Sequence, residues 1–279
     1  MSKSHAFCFL IILPYLFISC SEEKSKNIDN FRFPLQAGNL WEYKVEITEY
    51  YYSDTTGNIE YQDTIHRKGN ITLTVVEKTD RDSIKNLYQL VSKAEISNSE
   101  HINTGYYKNL EDGLYLYEMY SLGINLLPKS SSNNFHINKS KPMMGSFSGF
   151  SLSDKINCDK MTSPANPQKI LPYPIKVNRQ WTITDFDSLK IDKKITGIDT
   201  INTKSGNFDC YVVEYLYDID FDGEWDNKIS VLDYYNEKGL IRRHFKSKKN
   251  VHITIDNPEG IGFFDIEQNF TLTNFEIEN

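Results

Sequence analysis

A two-residue period runs through this chain and limits what it can build. From Trp41 the residues alternate, with Trp41, Tyr43, Val45 and Ile47 on one side and Glu42, Lys44, Glu46 and Thr48 on the other. That is the pattern of a strand with one face buried and one in water. The alternation returns in Ile71, Leu73 and Val75, in Tyr88 and Leu90, and later in Val251, Ile253 and Ile255 and in Phe270 and Leu272. No stretch carries a comparable helical stripe. Thr56-Gly57-Asn58, Lys68-Gly69-Asn70, Glu111-Asp112-Gly113, Ser205-Gly206-Asn207 and Asp222-Gly223 separate the runs, so hairpins are expected to join them. Aromatic residues make up 13% of the chain, and such rings suit a half-buried pleated surface. The expectation is an all-β protein: a strongly curved antiparallel sheet or half-barrel of two related units, with an irregular central excursion.

The first 19 residues read as an export signal. Lys3 and His5 precede an apolar run from Ala6 to Ile18, interrupted by Pro14 and too short to span a bilayer. The run ends in Leu16-Phe17-Ile18-Ser19-Cys20, which resembles the lipobox of bacterial lipoproteins, with Phe17 where a Leu is more usual. By that resemblance Cys20 is acylated and becomes the first residue of the mature chain, and residues 20–30 form a polar tether. Nothing later is long and apolar enough to cross a membrane as a helix, so the lipid would be the anchor. Loss of residues 1–19 removes one lysine and no acid, leaving 30 basic groups against 38 acidic ones, a net charge of −8. Such a balance opposes non-specific binding to nucleic acid.

An echo divides the mature chain. Pro34-Leu35-Gln36-Ala37-Gly38-Asn39-Leu40-Trp41 is matched by Pro174-Ile175-Lys176-Val177-Asn178-Arg179-Gln180-Trp181, with Trp seven residues after Pro in each. Tyr106-Tyr107 followed by Gly113-Leu114 is answered by Tyr234-Tyr235 followed by Gly239-Leu240. Two units are expected, 31–127 and 174–279, able to form one continuous sheet. Residues 128–173 between them are rich in Ser, Asn, Lys and Pro and read as a linker or excursion. Its Gly145-Ser146-Phe147-Ser148-Gly149 is not a nucleophile elbow, because Phe147 stands where the serine must be.

The strongest local signal for chemistry is Asp218-Ile219-Asp220-Phe221-Asp222-Gly223-Glu224-Trp225-Asp226. Asp218, Asp220, Asp222 and Asp226 stand at positions 1, 3, 5 and 9 of a calcium loop with Gly223 at 6, because a hard cation needs converging oxygens and a sharp bend. Ile229 occupies position 12, where an EF-hand has Glu, and the flanks read as strands, so the expectation is at most a weak calcium-binding hairpin, with a solvated acidic turn as the alternative. His66, His101, His136, His244 and His252 show no zinc spacing. Arg242-Arg243-His244-Phe245-Lys246-Ser247-Lys248-Lys249 reads as a charged hairpin edge, or else as a dock for an anionic partner. Cys210 is in phase with Phe208 and Val212, which favours a buried thiol; pairing with Cys158 is the alternative that export allows.

Phe33-Pro34-Leu35 with Trp41-Glu42-Tyr43, Ser205-Gly206-Asn207-Phe208-Asp209-Cys210, and Tyr234-Tyr235 with Gly239-Leu240 resemble elements of a broad group of uncharacterised envelope lipoproteins of Bacteroidota type. The resemblance implies a curved antiparallel sheet related to the half-barrels of lipoprotein carriers, with no assigned activity. Asn178, where the second opening would carry Gly, departs from it. Three function classes remain: a lipid-anchored, non-enzymatic binding or scaffold module of the cell envelope with a protein partner; a carrier or sensor of an apolar ligand in the concave face; and a hydrolase of glycans or peptides, for which no catalytic constellation is present.

Overall fold

The computed structural model describes residues 31–55, 58–97, 99–122, 166–186, 189–219, 222–254 and 257–278. Twelve strands follow one another: β1 (Leu40–Thr55), β2 (Asn58–Arg81), β3 (Ile84–Ile96), β4 (Ser99–Leu110), β5 (Gly113–Leu122), β6 (Gln168–Pro172), β7 (Gln180–Phe186), β8 (Leu189–Thr203), β9 (Gly206–Asp218), β10 (Ile229–Asn236), β11 (Gly239–Thr254) and β12 (Asn257–Glu276). They form one antiparallel sheet in the order β6-β5-β4-β3-β2-β1-β12-β11-β10-β9-β8-β7. The sheet is all-β as expected, and it curls further than a half-barrel, into a nearly closed barrel.

The alternation fixes which face turns inward. Trp41, Tyr43, Val45 and Ile47 of β1 are buried, whereas Glu42, Lys44 and Glu46 are exposed. Ile71, Leu73 and Val75 of β2 and Phe270 and Leu272 of β12 join them in one continuous core. A one-residue slip would turn that whole set outward, so the register is strongly specified.

Two meanders of six strands, β1 to β6 and β7 to β12, meet where β1 pairs with β12. Their frames match hydrogen bond for hydrogen bond. Gly38 donates to Val75 O and Val75 to Asn39 O; Asn178 donates to Ile195 O and Ile195 to Arg179 O. Gly38 has φ 97° and Asn178 φ 68°. The departure at Asn178 therefore keeps the geometry, because Asn is among the residues that best tolerate the left-handed region. Trp41 stands opposite Leu73 as Trp181 stands opposite Lys193. A bulge follows Val75 and another follows Ile195, and the β4–β5 and β10–β11 ladders both shift inside their Tyr-Tyr pair. Bulges re-aim a strand at a defined point, so shared positions give both halves the same bend.

Lys68-Gly69-Asn70 is not a turn. It lies within β2, paired to β1 on one side, with Gly69 and Asn70 reaching β3 on the other. A Cβ on Gly69 would sit 2.2 Å from the Glu95 carbonyl oxygen, so the glycine serves close backbone approach. The β2–β3 turn falls at Asp82-Ser83, with Asp82 at φ 50°. Gln168–Pro172, the end of the stretch read as an excursion, is β6 and pairs with β5.

The barrel closes without a ladder between β6 and β7. Side chains stitch that seam: Trp181 Nε1 donates to Lys169 O at 2.9 Å and Gln168 Nε2 to Thr184 Oγ1 at 3.2 Å, and from the next strand, β8, Lys193 Nζ donates to Ile170 O at 3.3 Å. Trp41, fully buried, donates from Nε1 to Lys238 O in the β10–β11 turn at 2.5 Å. Gly239 in that hairpin has φ 110°, and a Cβ there would lie 3.0 Å from the indole nitrogen. Only glycine meets both demands.

Candidate functional site

Charged side chains occupy inward positions of the second half. Along β8, β10 and β11, Lys193 lies between Ile191 and Ile195, Asp233 between Val231 and Tyr235, and Arg243 between Ile241 and Phe245. Each takes the apolar phase of its strand, and each is at most 3% exposed. A charge at such a position is costly unless paired. Asp233 and Arg243 stand opposite each other in the ladder. Arg243 Nε donates to Asp233 Oδ1 and its Nη2 to Oδ2, both at 2.6 Å. Tyr215 and Tyr235 donate their hydroxyls to the same Oδ2 at 2.8 and 3.1 Å. This is a bidentate pair with its remaining lone pairs capped, the arrangement that makes a buried ion pair tolerable.

Burial alone would raise the Asp233 carboxyl, but the charge and hydrogen bonds of Arg243, then Lys193 and Tyr215, hold it below its ordinary value. Burial likewise acts against the Arg243 charge, and Asp233 overrides it. Burial drives the phenols of Tyr43, Tyr107, Tyr215, Tyr217 and Tyr235 upward, so they remain protonated donors. Tyr43 donates to Leu240 O at 2.9 Å. Lys193 has a different environment: its ammonium lies 4.3 Å from the centroid of the Tyr215 ring and donates to Ile170 O. Burial, with Arg243 adding to it and Asp233 opposing, pushes Lys193 down to about 7. A second buried pair lies along β1, where Glu49, fully buried, meets Arg67 and accepts from Tyr51 Oη at 3.0 Å.

At the matching ladder positions of the first half, Leu73, Leu90, Ser92, Gly105, Tyr107 and Met119 replace Lys193, Val213, Tyr215, Asp233, Tyr235 and Arg243. These six residues, with Asn103 and Thr104, line a small pocket of about 10 Å³ available to the centre of a water, room for one molecule. Ser92 Oγ, on a residue 3% exposed, has no hydrogen-bond partner there.

The acidic loop after β9 is held by its own backbone. Asp218, 4% exposed, accepts the amides of Asp222 and Gly223 through its two oxygens, each at 3.1 Å. Asp222 accepts the amide of Glu224 at 2.9 Å, and Asp226 that of Ile219 at 3.2 Å. Gly223 takes φ 90°. Asp220 lies outside the described residues. Among the described residues no three His, Cys, Asp or Glu side chains are placed to hold a metal. His66 Nδ1 meets Thr48 Oγ1 at 3.2 Å and His244 Nδ1 meets Asn269 Oδ1 at 2.9 Å, whereas His101 is buried and His136 lies outside the described residues.

The basic run from Arg242 is not a sheet edge, because β11 lies between β10 and β12. Alternation divides it: Arg243, Phe245 and Ser247 are buried, and Arg242, His244 and Lys246 are half-buried. Cys210 is a free, fully buried thiol that donates to Phe208 O at 3.4 Å, pushed up to about 12 first by burial and then by Asp209 and Asp199. Cys158, the other half of the disulfide alternative, and Cys20 lie outside the described residues.

Lys193, Asp233 and Arg243 were legible as charges at in-phase positions of apolar runs, a signal hidden by reading Arg242 to Lys249 as a linear patch. No family model and no curated protein matches the chain. Two solved structures are similar to it at 12% identity. One is a candidate lipoprotein from Parabacteroides distasonis ATCC 8503, covering 88% of this chain and 98% of that one with a TM-score of 0.34. The other is a candidate exported protein with a YmcC-like fold from Bacteroides fragilis NCTC 9343, covering 88% and 99% with a TM-score of 0.28.

Proposed function

We propose that this chain is a lipid-anchored protein of the bacterial cell envelope, tethered to the outer membrane through Cys20, and that it works as a non-enzymatic binding or scaffold module. The observation that carries this reading is the packed interior among the described residues. Inward apolar residues of β1, β2, β9, β11 and β12, among them Val45, Leu73, Val213, Ile241 and Leu272, belong to one buried core, and Asp233 and Glu49 are each paired with an arginine on the same face. Partner contacts therefore fall to the outer face of the sheet and to the strand ends.

A carrier of an apolar ligand needs a hollow, and the inner-face pocket beside Leu73 and Met119 has room for a water. Two experiments test the reading. Cys20→Ala should move the protein from the membrane to the soluble fraction; persistent membrane association would remove the lipid anchor from the account. An environment-sensitive hydrophobic dye should show no saturable binding to the folded protein. Stoichiometric binding would favour the carrier.

A further inference from the structure

The barrel is not flush at both ends. β2 runs for 24 residues, but β3 pairs with it only from Gly69 onward. Between Asn58 and Arg67, β2 is therefore laddered to β1 on one side and, among the described residues, to nothing on the other. A run of about ten residues spans about 34 Å of strand. Ile59 is 54% exposed, Tyr61 58% and Ile65 38%, so three large apolar side chains stand in solvent along this one edge. Such an edge is a template for another strand.

The charge order along the edge selects the partner. Glu60 and Asp63 lie in its distal half, and His66, Arg67 and Lys68 at its root. A parallel copy would set like charges side by side, whereas an antiparallel copy sets the acidic half of each against the basic half of the other. The bulge in the β1–β2 ladder, between Tyr51 and Tyr52, leaves Gln62 as the extra residue. Opposite β1, Tyr61, Thr64 and His66 share the outward face with Tyr52, Tyr50 and Thr48, while Glu60, Asp63, Ile65 and Arg67 share the face of Tyr51 and Ile47. If Thr64 faces its own copy, Asp63 meets Ile65, Tyr61 meets His66 and Glu60 comes opposite Arg67, whose Nη2 already meets Glu49, each on the same face as its partner. Directly opposed residues on one face are the ones that interact across a ladder.

We infer that the free edge of β2 from Glu60 to Arg67 docks a second copy of this chain, antiparallel about Thr64, extending the sheet across a two-fold axis. The interface is isologous, with the acidic half of each edge set against the basic half of the other disfavouring a parallel arrangement.

Oxidative trapping reads the register. In the full-length chain purified in detergent, Thr64→Cys places two thiols in facing positions within disulfide reach. A disulfide-linked dimer should form on mild oxidation, at least tenfold faster than in a Ser230→Cys control on β10 or in the parent chain. Glu60→Lys should slow trapping about tenfold, with the fold shown intact by circular dichroism. In sedimentation equilibrium the parent chain with Cys20→Ser should show a reversible monomer–dimer equilibrium that Glu60→Lys shifts to monomer. Three results would each overturn the inference: trapping no faster than in the control, a parent chain monomeric at about 100 μM, or an introduced thiol that a small reagent cannot reach in the monomer, which would mean that another segment of the same chain covers the edge.

Discussion

The two halves of the barrel share a frame and differ in what fills it. Both open with a Pro-to-Trp segment that turns at a left-handed residue, and both bend at the same two bulges. Inside, the first half places Leu73, Gly105 and Met119 where the second places Lys193, Asp233 and Arg243. The backbone geometry therefore does not depend on the polarity of the core. What it requires is that every inward position be either apolar or paired. At the matched positions the second half meets that requirement with a bidentate ion pair and two phenols; the first places small and apolar side chains there and leaves room for a water beside the Ser92 hydroxyl.

The comparison can be broken most forcefully at Asp233. Asp233→Ala leaves Arg243 charged and buried without its carboxylate, and it should destabilise the protein by about 3–5 kcal/mol, read as a lower urea midpoint. An effect below about 1 kcal/mol would mean that water already reaches the cluster.

Lys193 gives the next largest effect and a pH signature. Its folded value is about 7, below its ordinary 10.5. Between these values the unfolded chain holds a proton that the folded chain has lost, so stability rises with pH through the window and is flat with respect to this group below it. The slope is at most about 1.4 kcal/mol per pH unit. Lys193→Leu, which installs the residue the first half carries at Leu73, should be more stable than the parent at pH 6, and the difference should shrink towards pH 9. A difference independent of pH would mean that Lys193 titrates near its ordinary value in the fold.

The smallest effect sharpens the match between the openings. Gly38→Ala forces a Cβ into φ 97° with Glu278 Oε1 3.0 Å away, whereas Asn178→Ala only exchanges a tolerant residue for a less tolerant one at φ 68°. Losses of about 1–2 kcal/mol and about 0.5–1 kcal/mol are expected from thermal unfolding. Asn178→Gly should be close to neutral.

Much of this architecture is written in local pattern. Trp41 to Thr48 state a strand and its inner face without reference to anything else, and Gly206, Gly223 and Gly239 each take the positive φ that their turns demand. Lys68-Gly69-Asn70 misleads because a glycine that admits a neighbouring backbone looks the same in sequence as one that turns a chain. The degree of curl is not local either: it depends on Trp181, Gln168 and Lys193 meeting β6 and β7 across a seam that has no ladder. The ion pair was missed for a related reason. Asp233 and Arg243 are ten positions apart across a turn, and only the hairpin register makes them opposite one another. The acidic loop is the louder signal in the sequence, although both carboxylate oxygens of Asp218 accept the loop's own amides, from Asp222 and Gly223.

The central claim is that Asp233 and Arg243 form one balanced unit standing in for apolar packing. A double-mutant cycle on Asp233→Ala and Arg243→Met, the latter installing the first half's residue, tests it by urea unfolding at pH 7. The account predicts that the double variant costs at least about 2 kcal/mol less than the two single losses added together, because the second change removes the charge that the first leaves unpaired. Losses that add to within about 0.5 kcal/mol would contradict it, and would show Asp233 and Arg243 to be separate features of an ordinary core.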